Sequence, residues 1–118
     1  MAVANEVEQF GIRITVVEPG FFRTDLLAPQ SVRWGKNTIE DYAAEGSTEA
    51  MWSPCHGKQQ GDPVRLGEAL VKIAGMADPP GVFAAGSDAL AAITPAIEER
   101  LNLTQAYEEI SKSTDGSF

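Results

Sequence analysis

A short and almost uninterrupted run of apolar residues is the feature that most constrains this chain. Residues 12–17, with the sequence IRITVV, are mostly β-branched, and Arg13 is their only charge. β-Branched side chains favour strands. A short run this apolar is typical of a parallel strand covered on both faces. Pro19 and Gly20 then interrupt it, so the sequence predicts a buried strand that ends in a tight turn.

Helical patterns flank this strand and a second one. Residues 2–10 carry apolar side chains on one helical face and stop at a glycine. Residues 63–77 repeat the pattern, with Asp62 as N-cap and Pro63 in the first helical position. Residues 82–85 are predicted to form the second strand. Strand, helix and strand at this spacing indicate a βαβ unit with a right-handed crossover.

The rest of the chain is a long insertion and a C-terminal helical region. Residues 21–61 are mixed and polar, with a short predicted helix at 37–46; segments this long are usually lids or binding loops. After the second strand we predict a helix capped by Ser87 and interrupted at Pro95. Residues 102–118 read as a polar tail with one helical turn around QAYEEI.

This order of elements predicts an α/β fold. Two strands alone do not make a stable α/β sheet, and a doubly wound domain usually has about five or more. We therefore expect the C-terminal part of a doubly wound Rossmann-type parallel sheet, with two strands, flanking helices and a lid insertion. The length of 118 residues suits one domain and is too short for two.

Charge and cysteine content exclude several classes of function. The net charge of −8 argues against nucleic acid and against an anionic membrane surface as partners. No apolar run reaches the roughly 20 residues that span a bilayer, and the N-terminus lacks the pattern of a signal peptide. Cys55 is the only cysteine; with His56 it cannot supply the ligands that zinc needs, so no metal site is predicted. We expect a cytoplasmic protein.

Two stretches resemble the short-chain dehydrogenase/reductase family. FGIRITVVEPGFFRTDLL is similar to the strand that follows the catalytic helix in that family, including the Pro-Gly turn and a threonine four residues later. GDPVRLGEALVKIAGMADPPGVFAAGSDAL resembles the penultimate helix and last strand. The resemblance covers almost the whole chain and is weakest in the middle segment. It implies that residues 1–118 are the C-terminal portion of an NAD(P)-binding Rossmann-like domain.

The resemblance also implies a role for four residues of the turn in binding NAD or NADP. Pro19 and Gly20 would lie against the nicotinamide ring. The backbone N–H of Phe22 would bind the carboxamide, and the hydroxyl of Thr24 would bind the carboxamide or a phosphate oxygen. The whole protein would move a hydride between nicotinamide and a small carbonyl or alcohol substrate.

The segment from about residue 21 to 61 would form the substrate lid of such an enzyme. Within it, Phe21, Leu26, Leu27 and Trp34 can provide an apolar wall.

Other parts of the family pattern are absent from these 118 residues. They contain no TGxxxGxG loop, whose glycines let the backbone approach a pyrophosphate at a helix N-terminus. They also contain no Tyr-x-x-x-Lys pair, since Gly46 and Ser111 stand four residues after Tyr42 and Tyr107. No catalytic residue is therefore predicted, and we expect the chain to be inactive alone, with Met1 an internal methionine of a longer protein.

Two alternatives remain open at this point. The chain can be a non-catalytic interaction module that forms homo-oligomers through its C-terminal helices and last strand. It can also be a truncated gene product without an independent function. In either case, the first strand is expected to have an unpaired apolar edge, which favours association or aggregation.

Overall fold

Two parallel strands form the centre of the structure, a computed structural model that describes residues 2–35, 39, 41 and 46–117. β1 (Val16–Pro19) pairs with β2 (Val82–Ala85), and Val16 lies opposite Val82. Together with the helices around it, this sheet confirms the predicted α/β class and the two-stranded arrangement.

The predicted bounds of β1 were wrong by several residues. We expected residues 12–17, whereas the strand begins at Val16 and runs through Pro19. The partner segment explains the late start. Pro79 and Pro80 precede β2 and offer no N–H donors, so the ladder begins only where the Val16 N–H donates to the Gly81 carbonyl at 3.0 Å. The length of a strand is thus limited by what its neighbour can pair.

The first predicted helix is confirmed. Helix α1 (Ala2–Val7) continues into a 3₁₀ turn at Glu8–Phe10. It stops at Gly11, which has a φ of 71° and donates its N–H to the Glu8 carbonyl at 2.9 Å. This left-handed conformation is the reason that a glycine follows the helix.

Two helices lie on either side of β2 in the sequence. In α3 (Pro63–Ala74), the Asp62 carboxylate accepts from the Val64 N–H at 2.9 Å, which confirms the predicted N-cap. The helix ends at Ala74 rather than at the predicted residue 77, because Gly75 caps it. Ile73 is buried on its inner face.

The helix after β2 differs from its prediction in three respects. Helix α4 (Ser87–Ala106) is capped by Gly86, which has a φ of 106° and accepts from the Leu90 N–H; Ser87 is its first residue and makes no capping hydrogen bond. Pro95 lies inside the helix and does not end it. The strong helix formers on both sides of Pro95 offset the one backbone hydrogen bond that a proline removes. For the same reason, residues 102–106 extend the helix and are not an irregular tail.

Short helices also occur in the remaining described segments. Helix α2 (Thr48–Trp52) and a 3₁₀ turn at Ser53–Cys55 lie within the predicted lid, where the sequence had indicated no helix. Helix α5 (Glu108–Lys112) confirms the predicted helical turn near the C-terminus. The helix predicted at residues 37–46 falls almost wholly outside the described residues. Within the described ranges, no helix is both long and apolar enough to cross a membrane.

The chain buries little of its own apolar surface. Its accessible surface is 9944 Å² and its radius of gyration is 20.3 Å. A compact protein of this mass would expose roughly 6,200 Å² and have a radius of gyration of roughly 13.5 Å. The described hydrophobic core contains four residues, Ala28, Ile73, Ala85 and Ala89. Most apolar helix faces therefore lack a covering layer within the part of the chain that the structure describes.

Candidate functional site

Two backbone N–H groups of the turn after β1 donate hydrogen bonds, one to the end of β2 and one to a side chain in the first turn of α4. The Gly20 N–H donates to the Ala85 carbonyl at 2.9 Å, which continues the ladder one step beyond the strand. The next N–H, of Phe21, donates to Asp88 Oδ2 at 2.6 Å. A hydrogen bond to a carboxylate is shorter and stronger than one between neutral groups. Asp88, in the first turn of α4, therefore fixes the direction in which the chain leaves the sheet.

Two glycines leave room for this carboxylate. A Cβ added to Gly20 would lie 2.2 Å from Asp88 Oδ1, and one added to Gly86 would lie 2.5 Å from the same atom. Gly86 also has a positive φ of 106°, a conformation that residues with a side chain rarely adopt. The two glycines allow both strand ends to approach Asp88 closely.

The surroundings of Asp88 favour its charged form. The hydrogen bond from the Phe21 N–H lowers the pKa of Asp88 below its ordinary value. Partial burial raises the pKa, and the N–H groups of Ala89 and of Asp88 itself lower it further. The last two belong to the first turn of α4, where the helix dipole also favours a negative charge. Asp88 is therefore an anion at neutral pH, held against the turn.

Phe22 leaves a backbone donor available. Its neighbours form an isolated parallel bridge to Gly61, in which the Arg23 N–H donates to the Gly61 carbonyl at 2.8 Å and the Gly61 N–H donates to the Phe21 carbonyl at 3.0 Å. This bridge uses groups on either side of Phe22. The Phe22 N–H itself donates to no acceptor among the described residues.

Thr24 presents a hydroxyl two residues further along. Its Oγ1 caps the 3₁₀ turn at Asp25–Leu27 by accepting from the Leu26 N–H at 3.4 Å, which is a long hydrogen bond. The hydroxyl proton of this exposed residue has no acceptor in the described ranges. Thr24 can therefore donate a hydrogen bond to a ligand.

A cavity of about 240 Å³, which we call the lid cavity, opens beside an aromatic pair. The rings of Phe21 and Trp52 lie 5.4 Å apart between centroids and are tilted by 35°, a geometry that aromatic pairs favour. The lid cavity is lined by Phe21, Trp52, Cys55, Lys58, Gln59, Gln60 and Asp88.

A second cavity of about 280 Å³, which we call the turn cavity, adjoins the lid cavity. Phe21 and Asp88 border both spaces. The turn cavity is lined by Glu18, Pro19, Gly20, Phe21, Asp88, Ala89, Ala92 and Ile93. Any ligand in one cavity therefore lies next to the other.

The four residues predicted to bind the cofactor follow one another but do not face one space. Pro19 and Gly20 border the turn cavity. The Phe22 ring lines a different cavity, of about 310 Å³, which is shared with the start of α3. Thr24 is exposed. What Phe22 and Thr24 offer next to the turn is therefore a backbone N–H and a hydroxyl.

The predicted lid wall is only partly assembled in the described residues. Phe21 lines the lid cavity, whereas Leu26 is 75% exposed and Leu27 and Trp34 are half-buried outside the lining of that cavity. Cys55 lines the cavity but His56, which is exposed, does not. No group of three or more potential metal ligands occurs in the described part of the chain.

Sequence reasoning missed three residues that shape these cavities, namely Asp88, Trp52 and Gln59. A signal existed for two of them. Asp88 lies three residues after the end of β2, near the sheet edge where Pro19 ends β1. Ser47 is an N-cap residue before the helix that carries Trp52, and its Oγ accepts from the Ala50 N–H at 3.1 Å. No local pattern indicates that Gln59 is buried.

Comparisons with known proteins agree with the α/β fold. No family model matches the chain. The oxidoreductase BOA17 of Botryotinia fuckeliana (strain B05.10) is 29% identical over 109 residues, which are 92% of this chain and 39% of that protein. The crystal structure of a short-chain dehydrogenase from Streptomyces avermitilis matches 97% of this chain and 41% of its own, with a TM-score of 0.74 and 27% identity. The chain thus spans about two fifths of the length of both proteins.

Proposed function

Since the chain corresponds in sequence and fold to the C-terminal portion of the short-chain dehydrogenases/reductases, we propose that it supplies the nicotinamide-side wall and the substrate lid of an NAD(P)-dependent oxidoreductase site. The substrate is a small carbonyl compound or alcohol. The 118 residues alone do not transfer a hydride, because they contain neither the glycine-rich loop nor the Tyr-x-x-x-Lys pair.

The free backbone donor at Phe22 is the observation that carries this proposal. The Gly20 and Phe21 N–H groups are occupied by Ala85 and Asp88, so the turn is held in place without a ligand. The next N–H has no acceptor among the described residues. A fixed turn whose next N–H has no partner among the described residues suits the amide oxygen of a carboxamide.

The residues around the Phe22 N–H fit the rest of a nicotinamide group. Pro19 and Gly20 border the open turn cavity, where a flat ring can lie against them. The Thr24 hydroxyl can donate a second hydrogen bond. A bound nicotinamide would supply the hydride chemistry, while these residues hold the ring and its carboxamide in one orientation.

A chimera tests the proposed cofactor wall. We would join this chain to the part of the Streptomyces avermitilis dehydrogenase outside the matched 41% and measure binding of NADH and NADPH by fluorescence. Thr24→Val removes the hydroxyl with little change in shape, and we expect it to weaken binding by roughly 2- to 10-fold. Thr24→Ser should restore most of the affinity.

Thr104→Val is the matched control for this experiment. Its hydroxyl donates to the Arg100 carbonyl on the exposed side of α4, far along the chain from the turn. A folded chimera that binds neither dinucleotide would contradict the proposal, as would equal losses in the Thr24 and Thr104 variants. Oxidation of NADH or NADPH by the 118-residue chain with a panel of aldehydes and ketones would contradict the statement that it is inactive alone.

A second candidate function, self-association, is favoured by one observation. The outer faces of α3 and α4 expose large apolar side chains; Val71 is 75% exposed and Ile97 is 61% exposed. Apolar surface of this kind marks contact sites on proteins. We expect the chain to form oligomers that light scattering detects and that Val71→Lys with Ile97→Lys shifts to monomer. A monomer at high micromolar concentration without these substitutions would exclude this function.

A further inference from the structure

We propose that the lid cavity binds a small, neutral aromatic ring that carries a hydrogen-bond donor such as a hydroxyl. This inference rests on the proposed function, because it names the class of substrate whose non-reacting part the lid would hold. The size of the cavity, its aromatic wall and one unpaired buried polar atom carry the argument.

The size and wall of the cavity select the ring. Its volume of about 240 Å³ lies below the roughly 300–1,000 Å³ of sites for drug-sized ligands, so it suits a molecule of one or two rings. Phe21 and Trp52 provide the wall, and Phe21 is 51% exposed next to the cavity. Aromatic side chains bind flat rings by edge and face contacts as well as by burial.

Gln59 provides the reason for a hydrogen-bond donor on the ligand. It lines the lid cavity, is only 7% exposed, and its Oε1 is buried without a hydrogen-bond partner among the described residues. The backbone of Gln59 is fixed, because the Arg23 guanidinium donates to its carbonyl at 3.2 and 3.0 Å. Buried acceptors without a partner are uncommon in folded proteins. A rotation of the Gln59 amide that turned Oε1 into the lid cavity would allow a ligand hydroxyl to donate to it.

The charges around the cavity favour a neutral ligand. Asp88 and Lys58 both line it and have opposite signs. Asp88 already accepts a hydrogen bond from the Phe21 N–H, and Lys58 is exposed to water. An anionic ring would be attracted by Lys58 and repelled by Asp88, so ionisation of the ligand brings no net gain.

The position of the cavity connects the ring to the proposed reaction. Phe21 and Asp88 separate it from the turn cavity that Pro19 and Gly20 border. A substrate held by its ring in the lid cavity would therefore extend its reacting carbonyl or alcohol toward the turn. Asp88 and Gln59 are positioning residues in this arrangement.

Direct binding to the 118-residue chain tests the inference without any nicotinamide. Trp34 and Trp52 are the two tryptophans, so in a Trp34→Phe background the emission of Trp52 reports on the lid cavity alone. We would titrate this protein with 4-methylphenol and with 4-methylanisole, which has the same ring but no donor. We expect the phenol to bind roughly fivefold more tightly, and 4-methylbenzoate to bind no better than the anisole.

Two variants assign the effect to named residues. Gln59→Met should remove the preference for the phenol, whereas Gln105→Met, on the exposed side of α4, should leave it unchanged. Phe21→Ala should weaken binding of both ligands to a similar extent. Circular dichroism identifies a variant that fails to fold. In that case, the comparison of phenol and anisole binding to the Trp34→Phe protein, whose lid cavity is unaltered, still tests the inference.

The outcomes separate this inference from the proposed function. Equal affinity for the phenol and the anisole, or no change in Trp52 emission with either, would overturn the inference. Because the titration contains no dinucleotide, it can succeed even if the chimera fails to bind NADH and NADPH. The converse result is also informative. If the chimera binds dinucleotide but the lid cavity does not bind aromatic ligands, the proposed cofactor wall is supported and the inference about the lid cavity is refuted.

Discussion

The carboxyl ends of the two strands and the outer faces of the helices differ in how they are held. At the strand ends, the Gly20 and Phe21 N–H groups are paired, and Ala85 and Ala89 are buried. On the outer faces of α3 and α4, apolar side chains such as that of Ile97 are largely exposed. The chain therefore builds its turn from its own contacts, while the outer faces of its helices have no layer packed on them among the described residues.

Different forces explain this difference. Hydrogen bonds and close glycine contacts act over a few ångströms, so a short segment can satisfy them by itself. Hydrophobic stabilisation grows with the area removed from water. The accessible surface of this chain is 9944 Å², whereas a compact protein of its mass would expose roughly 6,200 Å². The site end can thus keep its geometry even where the packing is incomplete.

Glycine-to-alanine substitutions provide the strongest test of this comparison. A Cβ at Gly61 would lie 2.7 Å from the Phe22 ring and 2.8 Å from the Phe21 carbonyl oxygen. Gly61→Ala should therefore destabilise the chain by about 2 kcal/mol, because the backbone bridge must shift. Urea unfolding followed by circular dichroism measures the change.

Gly67→Ala is the matched control at the other end of the comparison. Gly67 lies inside α3, and a Cβ there would meet no atom within 4 Å. Alanine favours a helix over glycine by up to about 1 kcal/mol, so this variant should be more stable than the native chain. If both alanine variants were destabilised equally, the site end would be no more tightly packed than the helix surface.

The contrast between the two regions also explains what the sequence could predict. The β-branched run, the Pro19–Gly20 turn and the Asp62 cap depend on neighbouring residues, and both strands and the α3 cap were confirmed. The start of β1 depends on Pro79 and Pro80, more than sixty residues away, and was placed wrongly. Local patterns cannot express such a constraint.

The same limit applies to the candidate site. The Phe21–Asp88 hydrogen bond joins residues 67 positions apart, and the Phe21–Trp52 contact depends on how α2 folds back over the turn. Local patterns mark Asp88 and the helix that carries Trp52, but the spacing does not show that either of them contacts Phe21. The roles proposed for Pro19, Gly20, Phe22 and Thr24 came from a family resemblance and stay predictions until the chimera is measured.

Asp88→Asn gives the smallest expected effect and tests whether a charge holds the turn. The Phe21 N–H lowers the pKa of Asp88, so the folded chain binds this proton less tightly than the unfolded chain, whose aspartate pKa is roughly 3.9. The carboxylate therefore stabilises the fold fully above that value, and the effect is lost as the pH falls through the lower folded value. Asp88→Asn removes it at every pH.

The expected signature is a pH-dependent difference between the native chain and the Asp88→Asn variant. The urea midpoint of the variant should be lower at pH 7, and the gap should stay constant down to about pH 4 and then close with further acidification. Asp115→Asn removes the same charge in the C-terminal segment, where the carboxylate accepts no hydrogen bond among the described residues. A gap that persisted to pH 2, or that Asp115→Asn reproduced, would show that the turn is held by shape and not by the ionised carboxylate.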